Sequence, residues 1–355
     1  MKTQDYNIVV FGAGAIGATI AAWLHQVHPN TYILARNKTL DALRTKGLTT
    51  FSTGKPSETH HIKTLETLAD LPRVDAVVLC VKNYSLENVA RQIKNQTGDN
   101  TTIVAIQNGL ANQTILPNHF SKIIYGIAQY NAWKEDLSTV GYNRKKTLIL
   151  DKSQKQNIPD FDLLTSIFSQ AMPTLATDRF NDAAHSKLIA NLTNSLLSLS
   201  GKPETAEQLK ALHKLFIKVM EESLNAIEAA GYRQFPMEDI PSWKILKLMT
   251  VMPAFLSRGR FRKGLKQATL TSMQQDLMQG TGLSELDTIN GYLLKLAEKN
   301  NVPAPYSQAL FDICLDHFRN NPAKPMSHTT ALKLIENKIN KPKTDQKPAG
   351  LNPED

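Results

Sequence analysis

The sequence predicts an α/β amino-terminal domain built on a mostly parallel sheet, followed by an all-α carboxy-terminal domain. Three observations lead there. Short apolar runs alternate with helix-forming stretches in the first half of the chain. A strand–turn–helix junction near its start carries three spaced glycines. After Pro173 the apolar residues settle into helical spacing and keep it. The length of 355 residues agrees, since domains of ~150 residues would make about two, each able to bury a core.

The first element, Ile8 to Phe11, is wholly apolar, as in a strand buried on both faces. It runs into Gly12-Ala13-Gly14-Ala15-Ile16-Gly17 and then a helix-like stretch. Gly12 permits a tight turn, Gly14 keeps side chains away from an approaching ligand, and Gly17 lets the helix pack on the strand. The helix N-terminus offers free N–H groups and a positive dipole end to a phosphate. Between strand and helix, G-x-G-x-x-G is the dinucleotide fingerprint, which makes the first domain Rossmann-type. The second strand, "TYILAR", should end in an acid for the ribose of NAD, about 20 residues past the glycines. Arg36 stands there, 19 positions after Gly17, with Lys38 just beyond. A guanidinium suits a 2′-phosphate, so NADPH is expected over NAD.

Next, "GLTTFSTGKPSETHHIKTL" reads as a hairpin or extended excursion. "VDAVVLCVK" is a strand ending at Lys82, and "TTIVAIQNGL" another ending at Asn108-Gly109. "KIIYGIAQYNAW" is a further strand and "KKTLILD" an edge strand. Helices fit between them at Thr39–Lys46, Ser85–Lys94 and Ala111–Leu116. Ligands of such sheets bind beyond the carboxyl ends of the strands, where Gly12, Arg36, Lys82 and Asn108 all fall. In the second domain "AEQLKALHKLFIKVMEESLNAIEAAGY" is a long amphipathic helix stopped by Gly231, and Pro253 kinks or divides its own segment. The expected limits are 1–176 for the dinucleotide-binding domain and 177–339 for a helical substrate and dimerisation domain. A polar, disordered tail is expected over 340–355.

Composition narrows the partners. Hydrophobic residues make up 41% and are spread along the chain, as in a globular protein, and no run has the ~18 apolar residues of a membrane span. The first strand begins almost at once, without signal-peptide anatomy, and the two cysteines stand far apart with no metal-ligand spacing. A cytoplasmic protein without bound metal is expected. The net charge of +9 suits anionic small molecules. The basic stretch "SRGRFRKGLKQ", Ser257 to Gln267, reads as a solvated loop or a cationic cleft wall. With only Phe261 among its charges, it does not read as a nucleic-acid surface.

A reductase also needs a proton donor and groups that hold its substrate. Lys187 and Asn191 share a helix face in "HSKLIANL"; Ser272 and Asp276 repeat that spacing in "TSMQQDL"; Glu285 and Asn290 follow in "SELDTING". Taken in order with "FGAGAIG", "ILARN", "VVLCVKNY" and "IQNGLAN", these motifs resemble the ketopantoate reductase family from Asn7 to about Asn320. The resemblance implies NADPH-dependent reduction of 2-dehydropantoate to pantoate in pantothenate and coenzyme A biosynthesis. It implies Lys187 as general acid, with Lys82 and Asn108 beside the nicotinamide. Asn191 would bind substrate oxygens, Ser272 the carboxylate, and Glu285 would anchor the polar end and orient Lys187. The chain departs from the family at His185, often Trp, and at Ser195 and Leu196, often Asn-Pro. The turn "MQGTGLSEL" lacks the usual basic residue. Since these differences surround the substrate, reduction of another 2-oxo acid stays open beside ketopantoate, as does a non-catalytic NADP(H)-binding sensor. A homodimer is compatible with the reading.

Overall fold

A computed structural model describes residues 5–267, 271–278, 284–320 and 324–340. The expected tail beyond Asn340, which itself ends a helix, and most of the "MQGTGLSEL" turn lie outside the described residues, as does the side chain of Ser272.

The first part opens with β1 (Ile8–Phe11), α1 (Ala15–Val27), β2 (Thr31–Leu34) and α2 (Asn37–Lys46). Then come β3 (Leu48–Ser52), β4 (Glu58–His60), β5 (Lys63–Leu65), β6 (Ala76–Leu79), α3 (Leu86–Thr97), β7 (Thr102–Ala105), α4 (Asn112–Ile115) and β8 (Ile123–Ala128). It closes with β9 (Ala132–Lys134), β10 (Thr139–Tyr142), β11 (Leu148–Asp151), α5 (Phe161–Ala171) and β12 (Thr174–Thr177). Among the described residues the main sheet runs β12-β11-β8-β7-β6-β1-β2-β5. From β8 to β5 its neighbours are parallel, with Val9 of β1 opposite Tyr32 on one side and Val77 on the other. β11 runs antiparallel to β8. The central strands are buried on both faces, as their unbroken apolar sequences require. α1 and α5 cover one face and α3 the other.

Two expectations about strands need correction. "KKTLILD" is not the edge, because β12 pairs outside it. "KIIYGIAQYNAW" is two strands in two sheets, since β9 leaves the main sheet and pairs with β10. β10 lies parallel to β3, whose hairpin with β4 completes a small four-stranded sheet. That sheet leans on α1, where Trp23 meets Tyr142 edge-on at 5.0 Å.

The helical part begins with α6 (Phe180–Ser200), α7 (Ala206–Ala229) and α8 (Trp243–Val251), followed by α9 (Ala254–Gln267) and α10 (Ser272–Met278). A π-helical turn at Asp287–Gly291 leads into α11 (Tyr292–Lys299), α12 (Pro305–Asn320) and α13 (His328–Asn340). Gly231 takes a φ of +86° just past α7, and Pro253 separates α8 from α9. α6 is buried nearly all round, as suits a central helix. Its residues enter the core beside β8 and β11, through Ile127 and Ile149, and also the core formed by α7, α10, α12 and α13.

Candidate active site

The nucleotide end starts at the three glycines, which the structure separates by cause. Gly12 has a φ of +114°, and a Cβ there would stand 3.0 Å from the carbonyl carbon of Cys80. A Cβ at Gly17 would lie 1.9 Å from the carbonyl oxygen of Gly12. These two are required by the chain's own packing. A Cβ at Gly14 would meet nothing within 4 Å, so no contact within the described chain demands glycine there. α1 starts with no side-chain cap and no acid in its first turn, which leaves its N–H groups and positive dipole end available. A hollow of about 610 Å³ beside this loop is lined by Gly12, Ala13, Arg36, Thr39 and Tyr84. Arg36 is exposed at the end of β2, donates to Gln92, and holds its guanidinium 6.0 Å from the centre of the Phe11 ring. Lys134 of β9 reaches the loop from the small sheet, its Nζ donating to the Ala13 carbonyl at 3.3 Å.

Lys82 and Asn83 follow β6 and tie the two parts together. The Lys82 ammonium meets Asp276 of α10 at 2.8 Å and Glu285 at 3.5 Å. Asn83 Nδ2 donates to Glu285 Oε1 at 2.9 Å and to the Asn108 carbonyl at 2.6 Å. Burial works against the Lys82 charge, but Glu285 and Asp276 outweigh it and hold its pKa above the ordinary lysine value. Burial raises both carboxyls, and Lys82 opposes the rise. One residue past Asn108, Gly109 has a φ of +80°, and a Cβ there would stand 3.0 Å from the Thr288 carbonyl. The strand rim thus packs directly on the π-helical turn, a local geometry found often at functional sites.

A cavity of about 310 Å³ lies between the rim and α6, and Asn108, Lys187, Asn191, Asn194 and Gln275 line it. Burial brings the pKa of Lys187 down to about 8, and the charge of Lys146 adds to the fall. Among the described residues no carboxylate forms a salt bridge with Lys187; Glu285 is turned to Lys82 and Asn83 instead. Asn191 is 8% exposed, and its buried Nδ2 has no hydrogen-bond partner. An unmet donor of this kind costs about 1–3 kcal/mol until something accepts from it.

The departures at His185 and Ser195 have structural partners. His185 Nδ1 donates to the Asn181 carbonyl at 2.7 Å, leaving Nε2 to accept from the Tyr292 hydroxyl at 2.8 Å, and the ring stacks on Tyr232 at 3.5 Å. Burial lowers its pKa to about 4, so the ring is neutral. Ser195 accepts from Asn290 Nδ2 at 3.1 Å. These residues join α6 to the helix that follows Glu285.

Sequence reasoning missed Asn83, Lys134, and the pair formed by Lys146 and Asp239. Lys146 is 8% exposed on the cavity wall, and Asp239, which also lines it, has a φ of +61°. Their signal was weak, because 93 residues separate the two.

A glycine loop at the head of a parallel sheet, with a half-buried lysine facing its rim across a cavity, defines a dinucleotide-dependent oxidoreductase acting on a carbonyl or its alcohol. Residues 8–154 match the family described as ketopantoate reductase PanE/ApbA, and residues 179–316 match that family's C-terminal part. The chain belongs to the ketopantoate reductase PanE/ApbA family. A 2-dehydropantoate 2-reductase of Archaeoglobus fulgidus is 21% identical over 328 residues, 88% of this chain and 97% of the relative. Two solved structures share the fold. The PanE/ApbA family ketopantoate reductase of Ralstonia eutropha has a TM-score of 0.71 at 20% identity, covering 90% of this chain and 100% of that one. D-mandelate dehydrogenase, solved with NADH and anilino(oxo)acetate, has a TM-score of 0.72 at 19% identity over the same shares.

Proposed function

We propose that the chain reduces 2-dehydropantoate to pantoate with NADPH, within pantothenate and coenzyme A biosynthesis. The observation that carries this reading is the shared cavity: Lys187, with its pKa brought to about 8, lines it together with Asn108 and the unpartnered amide of Asn191. A lysine poised there is protonated at neutral pH and can still give up its proton, as a general acid must. Asn191 would donate to a substrate oxygen. Ser272, at the start of α10, would hold the carboxylate. Glu285 would act through Asn83, whose amide also holds the Asn108 carbonyl, which makes Glu285 a positioning residue toward the cavity.

The residues fit the dinucleotide. The open Gly14, the uncapped start of α1 from Ala15 to Gly17, and Arg36 beside the adjoining hollow offer N–H groups and a cation where a nucleotide phosphate would need them. Ala13 and Lys134 flank that loop, and Ile16 reaches the cavity wall. When bound, the nicotinamide supplies the hydride. The chain orients the carbonyl, protonates the forming alkoxide from Lys187, and excludes water where the rim meets α6.

A homodimer belongs to the same proposal. Val251, Phe255 and Leu256 are 78%, 71% and 53% exposed, an apolar surface at the α8–α9 corner that a second copy would cover. A monomeric sedimentation coefficient would rule the homodimer out. Cytoplasmic residence fits the two unpaired thiols, Cys80 and Cys314. Among the described residues no helix is long and apolar enough to cross a membrane, and no acidic, His or Cys cluster could hold a metal. The test is NADPH absorbance with a panel of 2-oxo acids. Steady consumption with ketopantoate is expected; no consumption with any member would overturn the reading.

A further inference from the structure

The small sheet stands apart from the strand rim, yet it carries one charged side chain to the nucleotide loop. Lys134 closes β9, and its Nζ donates to the Ala13 carbonyl at 3.3 Å. The strand beneath it is well fixed. Trp133 lies across Gly141 of β10, where no Cβ would fit, and meets Phe51 of β3 edge-on at 5.9 Å. Just before β9, Tyr130 shares a hydrogen bond of 2.9 Å with Thr19 of α1. The two acids that follow Lys134 are turned to partners of their own. Glu135 accepts from the Trp133 indole N–H at 2.6 Å, and Asp136 accepts from the Ser138 N–H at 2.7 Å and the Thr139 hydroxyl at 3.0 Å. The ammonium thus stands against a neutral carbonyl. Lys134 is open to solvent, but loss of water around its charge lowers its pKa below the ordinary lysine value, with Asp136 opposing. An ammonium has three N–H donors, so the Ala13 carbonyl does not exhaust it.

Its place along the loop gives the charge a use. Ala13 lines the hollow that holds Arg36, and Ile16 lines the cavity that holds Lys187. A dinucleotide with one nucleoside in each recess must carry its bridging phosphates across the stretch between, from Ala13 to Ile16, where Lys134 arrives from the small sheet. From this geometry we propose that Lys134 is a phosphate-binding residue of the dinucleotide site, pairing with the bridge of the cofactor while Arg36 pairs with the 2′-phosphate. The proposal rests on the nucleotide reading above. It gives the small sheet a share of cofactor affinity that is blind to the 2′-phosphate.

The experiment is titration calorimetry of the full chain with NADPH, NADH and 2′-AMP, the last of which keeps the 2′-phosphate and lacks the bridge. Lys134→Met removes the charge and nearly keeps the length of the side chain. It is expected to weaken NADPH and NADH by the same factor, about tenfold or more, the loss of one charge-assisted bond. Binding of 2′-AMP should stay within about twofold of wild type. Arg36→Ala supplies the opposite pattern, a loss for NADPH and 2′-AMP but not for NADH. The two losses for NADPH should multiply in the double variant, because the side chains meet different phosphates. The melting temperature of Lys134→Met without ligand should match wild type, since only an open bond to Ala13 is lost. Unchanged dinucleotide affinity in Lys134→Met overturns the proposal. So does an equal loss for 2′-AMP, which would make Lys134 a prop of the glycine loop. A wild type that binds neither dinucleotide overturns the nucleotide reading and this proposal together.

Discussion

Arg36 and Lys187 are cations placed for opposite reasons. Arg36 is exposed at a strand end and donates to the neutral Gln92. If it meets the 2′-phosphate, Arg36→Ala should weaken NADPH by roughly ten- to a hundredfold, the worth of a charge-assisted bond of about 1.5–3 kcal/mol. NADH binding should barely change, and equal losses for both in a fluorescence titration would show that the arginine only shapes the loop. The Lys187 charge is held less firmly, and this is what suits it to the acid's role proposed above. Burial and Lys146 depress its pKa to about 8, so the acid form dominates below that pH and is lost above it. Oxo-acid reduction, followed as kcat/KM, should therefore decline as pH rises through about 8. Lys146→Met removes one of the two causes, so the inflection should move to higher pH. A profile that stays in place would show that the Lys146 charge does not act on Lys187. Lys187→Ala should cost about 10²–10⁴ in turnover with the melting temperature unchanged.

At the scale of elements, the junction from β1 to α1 contains two kinds of glycine. Gly17→Ala would press a methyl onto the Gly12 carbonyl oxygen, 1.9 Å away, and should destabilise the fold by about 1–3 kcal/mol in denaturant unfolding. Gly14→Ala should leave the unfolding curve nearly in place and weaken the dinucleotide instead. A stable Gly17→Ala protein would mean that α1 can shift away from its strand. This junction was legible in the sequence because its constraints are local: an apolar strand, spaced glycines, then helical periodicity. α6 and α7 were legible for the same reason. β12 was not, since "TLAT" is four residues of mixed polarity with no alternation to mark it. β9 and β10 were missed because their sheet forms through a parallel pairing with β3 that no neighbouring residue announces.

The whole molecule is held closed by more than apolar contact. Lys82 leaves the strand rim to meet Asp276 and Glu285 on the helical side, and Asn83 ties Glu285 to the Asn108 carbonyl. The sequence marked Lys82, Asn108, Asp276 and Glu285 individually but left them unpaired, because 194 residues separate Lys82 from Asp276 and no periodicity reaches that far. Lys82→Met would leave two carboxyls facing each other without their cation. The expected loss of stability is about 1–3 kcal/mol, below the ~3–5 of a fully buried pair, because the Lys82 side chain is 34% exposed. Both carboxyls already sit above their ordinary pKa in the fold, and losing Lys82 should raise them further. The folded variant then binds more protons than the unfolded chain from about pH 4 upward, until those raised values are passed, so its stability should fall as pH rises through that window. Its deficit against wild type should be smaller at pH 5 than at pH 8 in urea unfolding; a deficit independent of pH would assign the seam to packing.

Gly14 also carries a historical consequence. A descendant of this chain that gave up its nucleotide would still have to keep Gly12 and Gly17 to fold, while Gly14 would be released to drift, since nothing within 4 Å opposes a side chain there. A homologue with a bulky residue at that one position, and the other two glycines intact, would be a fold that has outlived its chemistry.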